Sequence, residues 1–142
     1  MPKGGCLCGK IRIAYEGEPN AKVICHCTDC RKISGSTYGA DLLIPADRLI
    51  VTTGEPRLYE KTADSGRTLT SRFCGDCGTT LYRACDEDPS AFGGAVIVKL
   101  GVLDDEPGTV LDDAKPTAEL FVGQRVGWVA PVQGAEQRVG MR

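Results

Sequence analysis

Eight cysteines beside a single histidine constrain this chain more than any other feature, because seven of them fall into three short clusters. Cys6-Leu7-Cys8 comes first, Cys25-His26-Cys27-Thr28-Asp29-Cys30 second and Cys74-Gly75-Asp76-Cys77 third, with Cys85 alone. A disulfide needs Cα atoms about 4.4–6.8 Å apart with converging side chains, which C-x-C in a strand or tight turn seldom provides. A metal suits the spacing better. Zinc sits at about 2.3 Å from each sulfur in a tetrahedron, and one C-x-x-C reversal delivers two sulfurs to the ion. Gly75 and Gly78 give Cys74 and Cys77 the freedom for that turn. A lone C-x-x-C could be a redox dithiol and a lone C-x-C could be chance, but three clusters together point to metal. Soft thiolates select zinc or an iron–sulfur cluster; the spacings differ from the ferredoxin runs, so zinc is the expected ion. Seven clustered sulfurs divide into four and three. Four would close a structural tetrahedron, whereas three would leave one position for water or substrate. The spacing leaves open which clusters combine.

The rest of the composition narrows the class. A chain of 142 residues with 42% hydrophobic and 25% charged residues can build one core unaided. No run approaches the roughly 18 apolar residues of a membrane span, and a net charge of −2 speaks against a nucleic-acid partner. The first residues lack the apolar stretch of a secretory signal, which gives a cytoplasmic expectation with thiols kept reduced. Glycine, 18 residues in all, is about twice as frequent as usual. Residues 95–103 form the longest apolar stretch and read as a central strand. Strand-like runs recur at 10–15, 21–25, 39–44, 49–53, 57–61, 67–73 and 80–83, divided by Gly, Pro, Asn and Asp clusters. The expectation is a single, all-β, mostly antiparallel domain. Residues 104–118, acidic and with two prolines, read as a long surface loop; 120–122 read as a late strand, Trp128 as a cover on the core edge, and the polar tail 133–142 as mobile.

Gly5-Cys6-Leu7-Cys8-Gly9, Cys25-His26-Cys27-Thr28-Asp29-Cys30-Arg31-Lys32 followed by Ser34-Gly35, and Arg72-Phe73-Cys74-Gly75-Asp76-Cys77-Gly78-Thr79 closely resemble the glutathione-dependent formaldehyde-activating enzyme family, whose domain also occurs in centromere protein V. Gly54 to Tyr59, Ser65-Gly66 and Trp128 fit the same pattern, so the resemblance covers about residues 4–128. It implies a β-tent of antiparallel sheets stapled by zinc. It also implies a sulfur partition, with Cys6, Cys8, Cys74 and Cys77 matching the structural zinc ligands and Cys25, Cys27 and Cys30 the catalytic zinc site. Two zinc ions per chain are expected, the second held more weakly. Many members carry His where this chain has Glu119, which would put an extra negative charge beside the three-cysteine site.

Zinc with three thiolates sums to −1, a poor generator of hydroxide but a good partner for an incoming soft thiolate. The family reaction joins formaldehyde to the glutathione thiol; the reverse step is a carbon–sulfur lyase. The alternatives are a zinc-stabilised interaction module without catalysis and a thiol-based sensor. Arg31 and Lys32, next to Cys30, are candidates to bind a glutathione carboxylate, and Tyr38 and Arg72 are candidates to line a pocket. His26 lies between two proposed ligands, and residues at i+1 in an extended turn point to different sides, so a supporting or packing role is expected. Cys85 is expected to be a buried free thiol.

Overall fold

The computed structural model describes residues 1–106, 108 and 110–142. The described residues form eleven short strands divided by turns: β1 (Lys3–Gly5), β2 (Arg12–Tyr15), β3 (Ala21–Cys25), β4 (Gly39–Pro45), β5 (Leu49–Thr53), β6 (Arg57–Thr62), β7 (Thr68–Phe73), β8 (Thr80–Ala84), β9 (Ala95–Lys99), β10 (Ala118–Leu120) and β11 (Glu136–Gln137). They form a three-stranded sheet, β1-β2-β5, and an eight-stranded sheet, β11-β10-β3-β4-β9-β8-β7-β6. This is the all-β, tent-like architecture the resemblance implies. Its departure from pure antiparallel pairing is β10, which runs parallel to both β3 and β11.

The core lies between the two sheets. Ile11, Ile13 and Tyr15 pack on Leu42, Ile44, Leu81, Val96, Val98 and Leu103, all buried. Each such side chain contributes roughly 1.5–3 kcal/mol by leaving water. Gly4 lets the sheets close: a Cβ there would meet the Val102 carbonyl oxygen at 2.2 Å. The other face of the large sheet, set by the period of two, carries Val23 and Cys25 of β3, Asp41 of β4, Lys99 of β9 and Arg83 of β8; Val23, Asp41 and Lys99 stand in successive register, and Arg83 lies opposite Ile97, diagonal to Lys99. This face holds the chemistry.

The structure corrects several local expectations. The apolar run 95–103 stops being a strand at Lys99, where a 3₁₀ turn (Leu100–Val102) redirects the chain so that Leu103 bridges to Gly4. Trp128 is 77% exposed and covers no core. The late strand is Ala118–Leu120; it ends at Phe121, whose φ of 55° breaks the extended run. The loop expected over 104–118 contains Pro107 and Thr109, which lie outside the described residues, and includes a helical turn at Val110–Asp113 that leads to a buried Ala114. The expected mobile tail, 133–142, contains β11, which joins the sheet edge.

Candidate metal and thiol site

Two similar knuckles build the first cluster. Between β1 and β2 the chain reverses with Gly9 N–H donating to the Cys6 carbonyl, and between β7 and β8 with Gly78 N–H donating to the Cys74 carbonyl. Both glycines have φ near 80°, the left-handed region that a side chain resists. The knuckles face each other, tied by Leu7 N–H to Thr79 Oγ1 (3.1 Å) and by Lys10 to Asp76 (2.5 Å). The result brings together four sulfurs, with every pair within 4.8 Å. Cys6 Sγ lies 3.6 Å from Cys8 Sγ, and Cys8 Sγ lies 3.7 Å from Cys74 Sγ across 66 positions of sequence. A tetrahedron with sulfurs about 2.3 Å from its centre has edges of about 3.8 Å, so the donor set fits a metal ion of that size. The hydroxyl of Thr79 and backbone N–H groups of Thr79 and Cys8 draw the Cys77 thiol down to about 5, which favours the ligating, ionised form.

The second cluster forms where β3 runs into helix α1 (Thr28–Ser34). Cys27 is the N-cap, its sulfur accepting from Cys30 N–H at 3.3 Å, and Gly35 ends the helix in the left-handed conformation. The extended turn expected here is thus a helix start. One helical turn places Cys30 back over Cys27, and Cys25, on the open face of the sheet, completes a triad whose sulfurs also all lie within 4.8 Å. Thiol hydrogen bonds from Cys25 and Cys30, with backbone N–H groups of Cys30 and Asp29, hold Cys27 down at about 2. The same bonding to Cys27 pushes Cys25 up to about 12, and bonding to both neighbours with burial pushes Cys30 up as well. Three sulfurs gathered this closely form a donor set suited to a metal. All eight cysteines are free of disulfides, and Cys85 is buried with Leu69 and Ala91, away from both clusters.

His26 is wholly buried and stands outside the ligand set. Its Nε2 lies 2.8 Å from Glu119 Oε1, and its ring meets Tyr38 edge-on. Glu119, 1% exposed, is the hub of the C-terminal segment. Its Oε2 accepts from Val132 N–H (2.7 Å) and Gln137 Nε2 (2.8 Å), and Arg125 lies 3.3 Å from Oε1. Glu119 therefore does not stand as an unscreened charge before the thiols. Its compensating cation is Arg125, and its work is to tie β10, β11 and the 122–132 segment to the loop between Cys25 and Cys27. Burial by itself would raise its carboxyl, but the bonds from Gln137, His26 and Val132, with Arg125 nearby, hold it at about 2.

A carboxyl depressed from 4.5 to about 2 adds stability that is complete above about pH 4.5 and is lost as pH falls towards 2. The size is on the order of 3 kcal/mol. Glu119→Gln turns an amide NH₂ towards donors, so it should destabilise by about that much at pH 7. Urea melts of the two proteins should converge between pH 4.5 and 2, and a constant gap across that range would refute the assignment.

Arg31 and Lys32 lie in the last turn of α1, with Arg31 reaching Thr28 Oγ1 at 3.5 Å and Lys32 exposed. The structure separates Tyr38 from Arg72. Tyr38, Ile33, Cys77, Thr79 and Lys99 line a cleft of about 450 Å³ between α1 and the second knuckle. Arg72 instead joins Tyr82, Cys85 and Asp86 around one of about 260 Å³. Sequence reasoning missed the charged row under the three-cysteine cluster: Asp41 and Lys99 form a buried pair at 2.5 Å, with Arg83 beside them. Their only signal was a charged residue recurring inside otherwise apolar strands.

Residues 1–124 match the family described as "Glutathione-dependent formaldehyde-activating enzyme". The chain belongs to this family. Two curated relatives bear that name provisionally. One from Podospora anserina is 27% identical over 62% of this chain and 41% of its own length, and one from Penicillium rubens is 25% identical over 71% and 51%. This family member thus spans about half the length of the curated relatives it matches. A solved structure of a Rhodobacter sphaeroides protein shares the fold, with a TM-score of 0.54 at 16% identity, covering 96% of this chain and 98% of that one. Among the described residues, no helix is long and apolar enough to cross a membrane.

Proposed function

We propose that this family member is a zinc-dependent carbon–sulfur lyase and synthase acting on a thiol–aldehyde adduct, S-hydroxymethylglutathione being the favoured substrate, in the reducing cytoplasm. The carrying observation is the asymmetry of the two clusters: four sulfurs gathered between two knuckles, three gathered at the N-terminus of α1. Cys6, Cys8, Cys74 and Cys77 would hold the structural zinc, and Cys25, Cys27 and Cys30 the catalytic one. Bound to three thiolates, zinc would supply a soft electrophilic centre that keeps a substrate thiol ionised at neutral pH. The chain's own residues do the rest. The α1 cap fixes Cys27 and Cys30 on one side, β3 fixes Cys25 on the other, and the Glu119–His26 bond holds the backbone between them. Arg31 and Lys32 remain candidates to meet a carboxylate of the thiol at the outer rim.

The family's name supports the glutathione and formaldehyde reading. NMR exchange spectroscopy with formaldehyde and glutathione tests it directly: the zinc-loaded protein should speed exchange between free glutathione and its hydroxymethyl adduct above the uncatalysed rate. An unchanged rate, with two zinc ions bound per chain, would reject catalysis and leave the interaction-module and thiol-sensor readings.

A further inference from the structure

We propose that Arg83, supported by Lys99, is a carboxylate-binding site beneath the three-cysteine cluster, so that the preferred ligand is a small thiol bearing a carboxylate. The inference rests on the proposed function for its thiol half only. Arg83 is 5% exposed, yet its side chain makes no hydrogen bond or ion pair among the described residues, and its Nε is fully enclosed without a partner. A guanidinium offers five donors and stays charged. Burying one unpaired is costly, and a chain keeps such a residue where a ligand supplies the missing acceptors. Its two neighbouring cations are already engaged: Lys99 with Asp41, and Lys61 with Asp29 of α1. Among these three, Arg83 is the cation with no ion-pair partner within 4 Å among the described residues.

The placement sets it on the same sheet face as Cys25. Cys25 pairs with Gly39, two residues from Asp41; Asp41 pairs with Lys99; and Arg83 pairs with Ile97, which puts it diagonal to Lys99, with buried Ser71 opposite it on β7. Asp41 feels both the Arg83 guanidinium and the Cys27 sulfur, and Lys61, in the pair that ties α1 to β6, feels Arg83 as well. Gly39 brings Lys99 close to the cysteines. A Cβ there would lie 3.1 Å from Lys99 Nζ and 3.3 Å from Cys30 Cβ, closer than ordinary contact, so the glycine lets the ammonium approach the cluster directly. Three strand spacings of about 4.8 Å separate β3 from β8, and the long Arg83 side chain can reach back across part of that distance. A thiol whose sulfur reaches the cluster and whose carboxylate lies a few bonds away could span it, with a charge-assisted, two-point contact on Arg83.

NMR titration of the zinc-loaded protein with 3-mercaptopropionate, 2-mercaptoethanol and propionate tests this. The mercaptocarboxylate should bind at least about tenfold more tightly than the neutral thiol. Arg83→Gln should bring that ratio close to one, and Arg83→Lys should keep part of it. Equal affinities in the wild type, or a ratio unchanged in R83Q, would overturn the site. So would R83Q losing zinc with the ratio intact, which would assign Arg83 to balancing the metal's thiolates. If no thiol binds but propionate does, and R83Q abolishes it, the anion site stands and the catalytic reading falls. If thiols bind and exchange with a ratio of one, the reverse holds. Should R83Q fail to fold, the wild-type ratio and R83K decide.

Discussion

Cys74→Ser is expected to leave almost no soluble, folded protein. Cys74 is both a ligand candidate and a buried core residue, packed in the same cluster as Ile11, Leu81 and Val98. Its sulfur lies 3.7 Å from that of Cys8, so one atom joins the β7–β8 hairpin to the β1–β2 hairpin. A structural zinc contributes apparent binding energies of about 10–16 kcal/mol in small domains, against a total stability of about 5–15 kcal/mol for most domains. Losing one thiolate from four leaves an incomplete tetrahedron around the ion, and the small β1-β2-β5 sheet then depends on its apolar packing alone. Far-UV circular dichroism and metal analysis of the expressed protein check the result. A C74S protein that melts like the wild type and keeps its metal would overturn the structural assignment of this cluster.

Cys27→Ala should behave in the opposite way, folded but inactive. The sulfur of Cys27 is half-exposed at the start of α1, and its one structural task there is to cap the Cys30 N–H. Removing a cap costs about 1 kcal/mol, which in a domain of this size lowers the melting temperature by about 2–4 °C. Taking away one of three sulfurs should empty the site: metal per chain should fall from two to one, and hydroxymethyl exchange with glutathione should drop by at least about a hundredfold. A C27A protein that unfolds would make the second cluster structural. One that exchanges as fast as the wild type would remove Cys25, Cys27 and Cys30 from the chemistry.

The contrast between these two variants is legible in the sequence, because cysteine spacing limits what a short stretch of backbone can present to an ion. C-x-C and C-x-x-C are local geometries, and Gly9 and Gly78 supply the positive φ that each knuckle needs. The strands are legible for a similar reason. The runs at 39–44 and 67–73 are short and divided by turn residues, signals that depend on nearest neighbours along the chain. Helix α1 is not, since seven residues with one buried side chain carry too little periodicity to separate a helical turn from a loop.

Residues whose roles depend on distant partners are less legible. By sequence Glu119 is a charge placed against the thiols, but its partners are His26, Val132, Gln137 and Arg125, up to 93 positions away. Trp128 is a core residue by its chemistry, and the chain leaves it in solvent. For Arg83, Lys99 and Asp41 a lone charge within each strand is the whole of the local signal, and only the order β4-β9-β8 brings them near one another. The sequence by itself determined the all-β class, the three cysteine clusters and their suitability for metal, all of which rest on short-range spacing. The tertiary structure alone decided which polar groups are buried together, because burial of a charge is tolerated or not according to partners that only strand order brings within reach.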